Sequence, residues 1–306
     1  MGAMLYDTIA CFVLSVYGVY HMISAARSHL KPTSRGTSLS GDYSARPYYP
    51  FPLHSHRHHL LRHLPFYFGI VILSISIVHL SFSSSGAQHF FSLSSAAALL
   101  LLLILLPFAA LSSASAPPDL IFLLASLAFA LLSYSSFRFS SSFPPSDLQA
   151  KSYSISALIS AASAVASLSL ALFPKLFVSE LSLAASIFLK GLWFFVSGLL
   201  LYIEAFIPEG CHSLIDLPDG PTRCDLDEFR VRATAILDLA FALNCVFVAV
   251  VVLALYAMAG RVFGGLGRRL NGGGSYEALP TSSSTATLSD MEPVQMKAIG
   301  KNSMQE

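Results

Sequence analysis

The chain has 306 residues, of which 54% are hydrophobic and only 11% charged, and its formal net charge is +1. A soluble protein of this size carries about a quarter charged residues. A mean hydropathy of +0.65 therefore argues against a water-soluble core and for a polytopic membrane protein. A charge this close to zero gives no basic surface for nucleic acid.

A bilayer core about 30 Å thick needs roughly 20 apolar residues in a helix. Seven runs qualify: 8–26, 64–82, 90–111, 120–137, 152–173, 181–203 and 233–260. The expected fold is all-α, a bundle of seven transmembrane helices over 1–260, followed by a tail at 261–306. The first run reads as a span and not a cleaved leader. It lacks a basic segment before it, and Ser24-Ala-Ala26 is a weak cleavage sequence. Pro65, Pro107 and Pro174 fall near run ends, where proline costs a helix least.

Between the first two runs lie Arg27, Lys31, Arg35, Arg46, Arg57 and Arg62. Lys175 and the tail's Arg261, Arg268, Arg269, Lys297 and Lys301 fall on the same side of a seven-span topology. Arg138, Lys151, Arg223, Arg230 and Arg232 face the other. The excess of positive charge predicts a cytosolic C-terminus and an extracellular or lumenal N-terminus, in a membrane of the secretory route.

The first loop also contains His54, His56, His58, His59 and His63. Neutral imidazoles are metal ligands, and His59 and His63 stand one helical turn apart. No cysteine or nearby carboxylate completes a site, so the favoured reading is a solvated, partly cationic segment, and no cofactor is expected. His79 and His89 fall at the outer ends of the second and third runs. In the fifth run, Ser156, Ser160 and Ala164, with Ser163 and Ser167, recur at four-residue spacing. Such small-residue stripes let helix backbones approach, in a bundle or at a dimer face.

The sixth run carries Lys190 and the only tryptophan, Trp193, and Glu204 follows its end. The seventh carries Asp238. An ionisable side chain inside a span is costly unless paired, hydrated or snorkelled, which makes Lys190, Glu204, Asp238, His79 and His89 candidates for a polar intramembrane site. A direct Lys190–Asp238 pair requires tilt or a bridging water, because the two stand at different depths. Trp193 falls near mid-depth, where packing inside the bundle is its expected role.

Cys211 and Cys224 lie in the loop between runs six and seven, on the non-cytosolic side, where disulfides persist. The expectation is a bridge worth about 3 kcal/mol, with two free thiols as the other reading. After residue 260, glycines at 264, 265, 267 and 272–274 and a Ser/Thr-rich stretch predict disorder. Within it, Tyr276-Glu-Ala-Leu279 has the form of a tyrosine-based sorting signal.

Tyr43-Ser-Ala-Arg-Pro-Tyr-Tyr-Pro50, Gln88-His89, Gly191-Leu-Trp-Phe194 with Gly198 and Tyr202, Pro208-Glu-Gly-Cys211 and Arg232-Ala233 occur in that order. Together they resemble the transmembrane protein 45 family in its plant branch (domain of unknown function 716), from about His21 to Tyr256. The resemblance implies a multi-pass membrane protein of about seven helices with no established biochemical activity. The chain departs from the family pattern at Pro65, at Gln149 and Tyr153, and at Lys190.

The function expected is non-enzymatic, exercised through partners, trafficking or stress signalling. The partners are the bilayer and other membrane proteins or further copies of the chain. The alternative is a carrier or channel for a small solute or ion, with Lys190, Glu204 and Asp238 along its path. A third reading is a membrane enzyme or metal handler using His21, His79, His89 and the His54–His63 cluster.

Overall fold

A computed structural model of the chain describes residues 2–30, 43–51, 62–82, 87–111, 117–144, 147–213, 222–224 and 226–264. His54, His56, His58, His59, Tyr276 and Leu279 lie outside them. The helices are α1 (Gly2–Leu30), α2 (Leu64–Phe82), α3 (Ala87–Leu111), α4 (Pro118–Ser140), α5 (Leu148–Leu172), α6 (Phe177–Tyr202) and α7 (Asp227–Ala259). All seven are long and apolar enough to cross a membrane. In lipid, a helix satisfies its own backbone donors and acceptors, and these sequences offer no competing structure.

The helices outrun the apolar runs. Helix α1 begins before Asp7, α6 begins before Glu180, and α7 opens on Asp227 and Glu228, acids that favour a helix N-terminus. Helix α3 continues past Pro107 to Leu111, so this proline lies inside the helix and not at its end.

Neighbouring helices pack in the order α2, α3, α4, α5, α6, α1, and α7 lies against α6, α1 and α5. Helix α2 has no buried residue and forms the periphery. Helix α1 runs antiparallel to α6 at close range. A Cβ on Gly18 would stand 2.8 Å from Cβ of Phe188, and one on Gly191 would stand 3.0 Å from the main-chain oxygen of Cys11. Only hydrogen at these positions permits that approach.

Helices α4 and α5 are joined by a regular seam. The hydroxyls of Ser126, Ser133 and Ser140 donate to the carbonyl oxygens of Ala164, Ala157 and Ala150 at 2.9, 2.9 and 2.6 Å. From the other side, Ser167 donates to the carbonyl of Phe122 at 2.9 Å. Three serines one heptad apart thus meet three carbonyls one heptad apart in the opposite direction. The predicted small-residue stripe of α5 also serves its other neighbour, since Ser163 donates to Ser186 of α6 at 2.9 Å.

Two short strands, β1 (Cys211–Ser213) and β2 (Thr222–Cys224), pair antiparallel at one end of the bundle. Cys211 and Cys224 form the expected disulfide. Just before the hairpin, Gly210 has φ +78°, and the Phe229 ring occupies the space a Cβ would need. The hairpin is tied down through Thr222, whose N–H donates to Oε1 of Gln149 at 3.0 Å and whose hydroxyl donates to the carbonyl of Leu201 at 2.7 Å. Arg223 donates to Asp147 at 3.0 Å.

Candidate functional site

The predicted polar residues do not meet. Lys190, on α6, turns toward α5. Its ammonium donates to the carbonyl oxygen of Ser156 at 2.8 Å and to the hydroxyls of Ser156 and Ser160 at 2.5 and 3.0 Å. The Phe194 ring lies 5.5 Å away. An ammonium has three donors, and here three oxygens of one neighbouring helix receive them. The charge is stabilised by dipoles, and among the described residues no carboxylate pairs with it.

Asp238 is not the partner of Lys190. It accepts from Lys151 of α5 at 2.8 Å, near the end of the bundle that carries the disulfide, in a pair whose side chains are 34% and 56% exposed. The depth difference between Lys190 and Asp238 explains why the pair forms elsewhere. Glu204 sits in an exposed 3-10 turn (Glu204–Phe206) beyond α6. His79 stacks on Tyr6 of α1 with ring centroids 4.0 Å apart, and His89 neighbours Phe90 at the start of α3. His63 stacks with Tyr48 at 6.3 Å. Among the described residues, no three His, Cys, Asp or Glu side chains are grouped to hold a metal ion.

Trp193 is 1% exposed. Its indole N–H donates to the carbonyl of Ser152 at 3.2 Å, and its ring meets Phe241 edge-on. Beside it, Asp7, Tyr153, Ser156 and Tyr202 border a small cavity of about 40 Å³. That is room for a few waters at about 10–15 Å³ each. Of the positions departing from the resemblance, Tyr153 lines this cavity, Lys190 bonds to Ser156 on its wall, and Gln149 holds Thr222.

A second polar group lies at the opposite end. Residues 43–51 cross the bundle there as a strap. Ala45 is buried among Phe122, Leu170 and Leu183, and its N–H donates to the carbonyl of Pro174 at 2.8 Å. Tyr20 donates to the carbonyl of Tyr49 at 2.8 Å. The hydroxyl of Tyr43 donates to Oε2 of Glu180, a carboxyl with no exposed surface. Burial, and next the negative charge of Glu180, push the Tyr43 and Tyr49 phenols far above their ordinary range. Burial pushes Tyr48 up to about 12. All three remain protonated near neutrality.

Asp7 and Glu180 escaped the sequence reading because each stands one residue outside an apolar run. An acid bordering a run whose helix extends further was the signal available.

No curated protein matches the chain. Residues 118–257 match the model of a family of unknown function, DUF716. The match opens with α4 and closes near the end of α7, so it omits the strap and the Gln88-His89 pair. The part of the chain carrying the serine seam, Lys190 and the disulfide is thus the part that is similar to the DUF716 family.

Proposed function

We propose that the chain is a non-enzymatic multi-pass membrane protein that acts through other membrane components, in partner binding, trafficking or stress signalling. One observation carries this reading. The ionisable groups that a carrier would gather along a path are dispersed to separate contacts, and the cavity beside Lys190 is about 40 Å³. The motif order Gly191-Leu-Trp-Phe194 to Pro208-Glu-Gly-Cys211 supports placement in the plant branch of the transmembrane protein 45 family. The disulfide supports a hairpin on the lumenal or extracellular side, hence an outer N-terminus and a cytosolic tail in a membrane of the secretory route.

The test is flux through proteoliposomes containing wild type, Lys190→Gln or Asp238→Asn, across a panel of ions and small solutes. Equal, negligible flux is expected from all three. A wild-type flux lost in Lys190→Gln overturns the reading in favour of a carrier built on the cavity beside Asp7 and Tyr153. Maleimide labelling of intact cells tests the orientation: Cys211 should react only after external reduction.

A further inference from the structure

A second cavity lies on the flank of the bundle. It is a lateral groove of about 820 Å³ between α4, α5 and α7, open toward the surrounding lipid. Its floor is one face of α5, along which Lys151, Ser154, Leu158, Ala161 and Val165 follow one another at three- and four-residue steps. Tyr134 and Phe137 of α4 form one wall, and Asp238 and Phe241 of α7 the other.

Two features define what fits. The first is length. From Lys151 to Val165 is about 21 Å of helix at ~1.5 Å per residue, against roughly 20–22 Å for one leaflet with its head groups. A transmembrane helix of a partner would run on through the second leaflet, whereas a lipid stops at the midplane. The second is charge. Among the described residues, the acidic and basic side chains bordering the groove are Lys151 and Asp238, paired at 2.8 Å at its head-group end and both partly exposed. The bond to Asp238 needs one of the three donors on the ammonium. A phosphate can lie against Lys151 while a cationic amine lies against Asp238. An anionic head without the amine would satisfy the lysine and be repelled by the aspartate.

The geometry points to a binding site for one zwitterionic phospholipid, with its phosphate on Lys151, its amine on Asp238 and an acyl chain laid along α5 to Val165.

The full chain, purified in mild detergent, is exchanged into equal mixtures of phosphatidylethanolamine, phosphatidylcholine and phosphatidylglycerol of identical acyl chains. Retained lipid is read by native mass spectrometry. One zwitterionic lipid per chain is expected, favoured about tenfold over phosphatidylglycerol. Ala161→Trp, which fills the floor, should lose that lipid. Lys151→Gln/Asp238→Asn should keep a lipid and lose the preference for head group. Equal retention of phosphatidylglycerol by wild type overturns the charge assignment. Undiminished retention in Ala161→Trp means annular lipid only, and a dimer seated on the groove means a second copy; either overturns the site. Should Ala161→Trp fail to fold, the exposed double variant decides, since an unchanged head-group preference there refutes the proposal.

Discussion

The ammonium of Lys190 lies 2.8 Å from the main-chain oxygen of Ser156, one helix away, and not beside the acid of the last span. A charge held by hydroxyls and a carbonyl ties α6 to α5 without asking for a second ion. The cost of burying it is met by charge-assisted hydrogen bonds, each stronger than a neutral one.

This tie is testable by a double-mutant cycle. Ser156→Ala/Ser160→Ala removes two acceptors and should destabilise the folded chain by about 1–3 kcal/mol. In a Lys190→Met background the same pair of changes should be nearly neutral, because no ammonium is left short of acceptors. Unfolding in mixed micelles reads both. Equal losses in the two backgrounds would show that the hydroxyls act independently of Lys190.

The close contact of α1 with α6 makes a sharper demand. Gly191→Leu places carbon where the Cys11 carbonyl and Ser15 already stand. Overpacking of this kind costs about 1–3 kcal/mol or more. A lower melting temperature and faster proteolysis of α1 are expected. Gly260→Leu, where nothing lies within 4 Å of the added Cβ, is the control that should leave both unchanged.

At the strap end, Tyr43→Phe removes the donor to a carboxyl that has no access to water. A loss of about 1–3 kcal/mol is expected, recovered in part by pairing it with Glu180→Gln. Hydrogen exchange at the Ala45 amide, bonded to Pro174, should rise in the single variant and fall back in the double.

The same phenols give a pH dependence whose sign follows from their direction. A pKa raised in the folded chain means that the folded form keeps a proton the unfolded form has released. Stability from these tyrosines is therefore complete below about pH 10 and falls above it. The decline runs to about 12 for Tyr48 and beyond for Tyr43 and Tyr49. Absorbance titration should show these phenols ionising only as the chain unfolds. Tyr43→Phe should flatten the alkaline loss.

Reduction tests the hairpin. Cys211→Ser/Cys224→Ser reopens a link spanning 13 residues and should cost about 3 kcal/mol. Thr222 should then exchange its amide proton faster, since β2 loses the anchor that presents it to Gln149. The seam bonds at Ser126 and Ser133, further along α5 from the Asp147 and Gln149 anchors, should be unaffected.

The seven long helices were legible in the sequence because lipid leaves a long apolar run one option, whereas the short β1–β2 hairpin was not. The helix ends were less so. Helices continue into the head-group region, where Asp7 and Glu180 are tolerated, and an apolar run was ended at such a flanking acid. Neighbour relations were harder still. Lys151 and Asp238 are 87 positions apart, and nothing local in either helix states that their faces meet. The stripe on α5 was visible as small residues at four-residue steps. Its counterpart on α4, serines seven apart, went unread, because nothing within that helix marks them as donors to α5.

That serine seam has a property its bonds alone conceal. Every rung uses a hydroxyl from one helix and a carbonyl from the other, and carbonyls are supplied by any residue. Sliding α4 along α5 by one heptad, ~10.5 Å, would bring two of the three hydroxyls opposite equivalent acceptors. A periodic fastener of this sort holds firmly yet cannot say where it should close. Alignment must come from what does not repeat: the short connection between Ser140 and Leu148, with Asp147 pinned to Arg223 beside it.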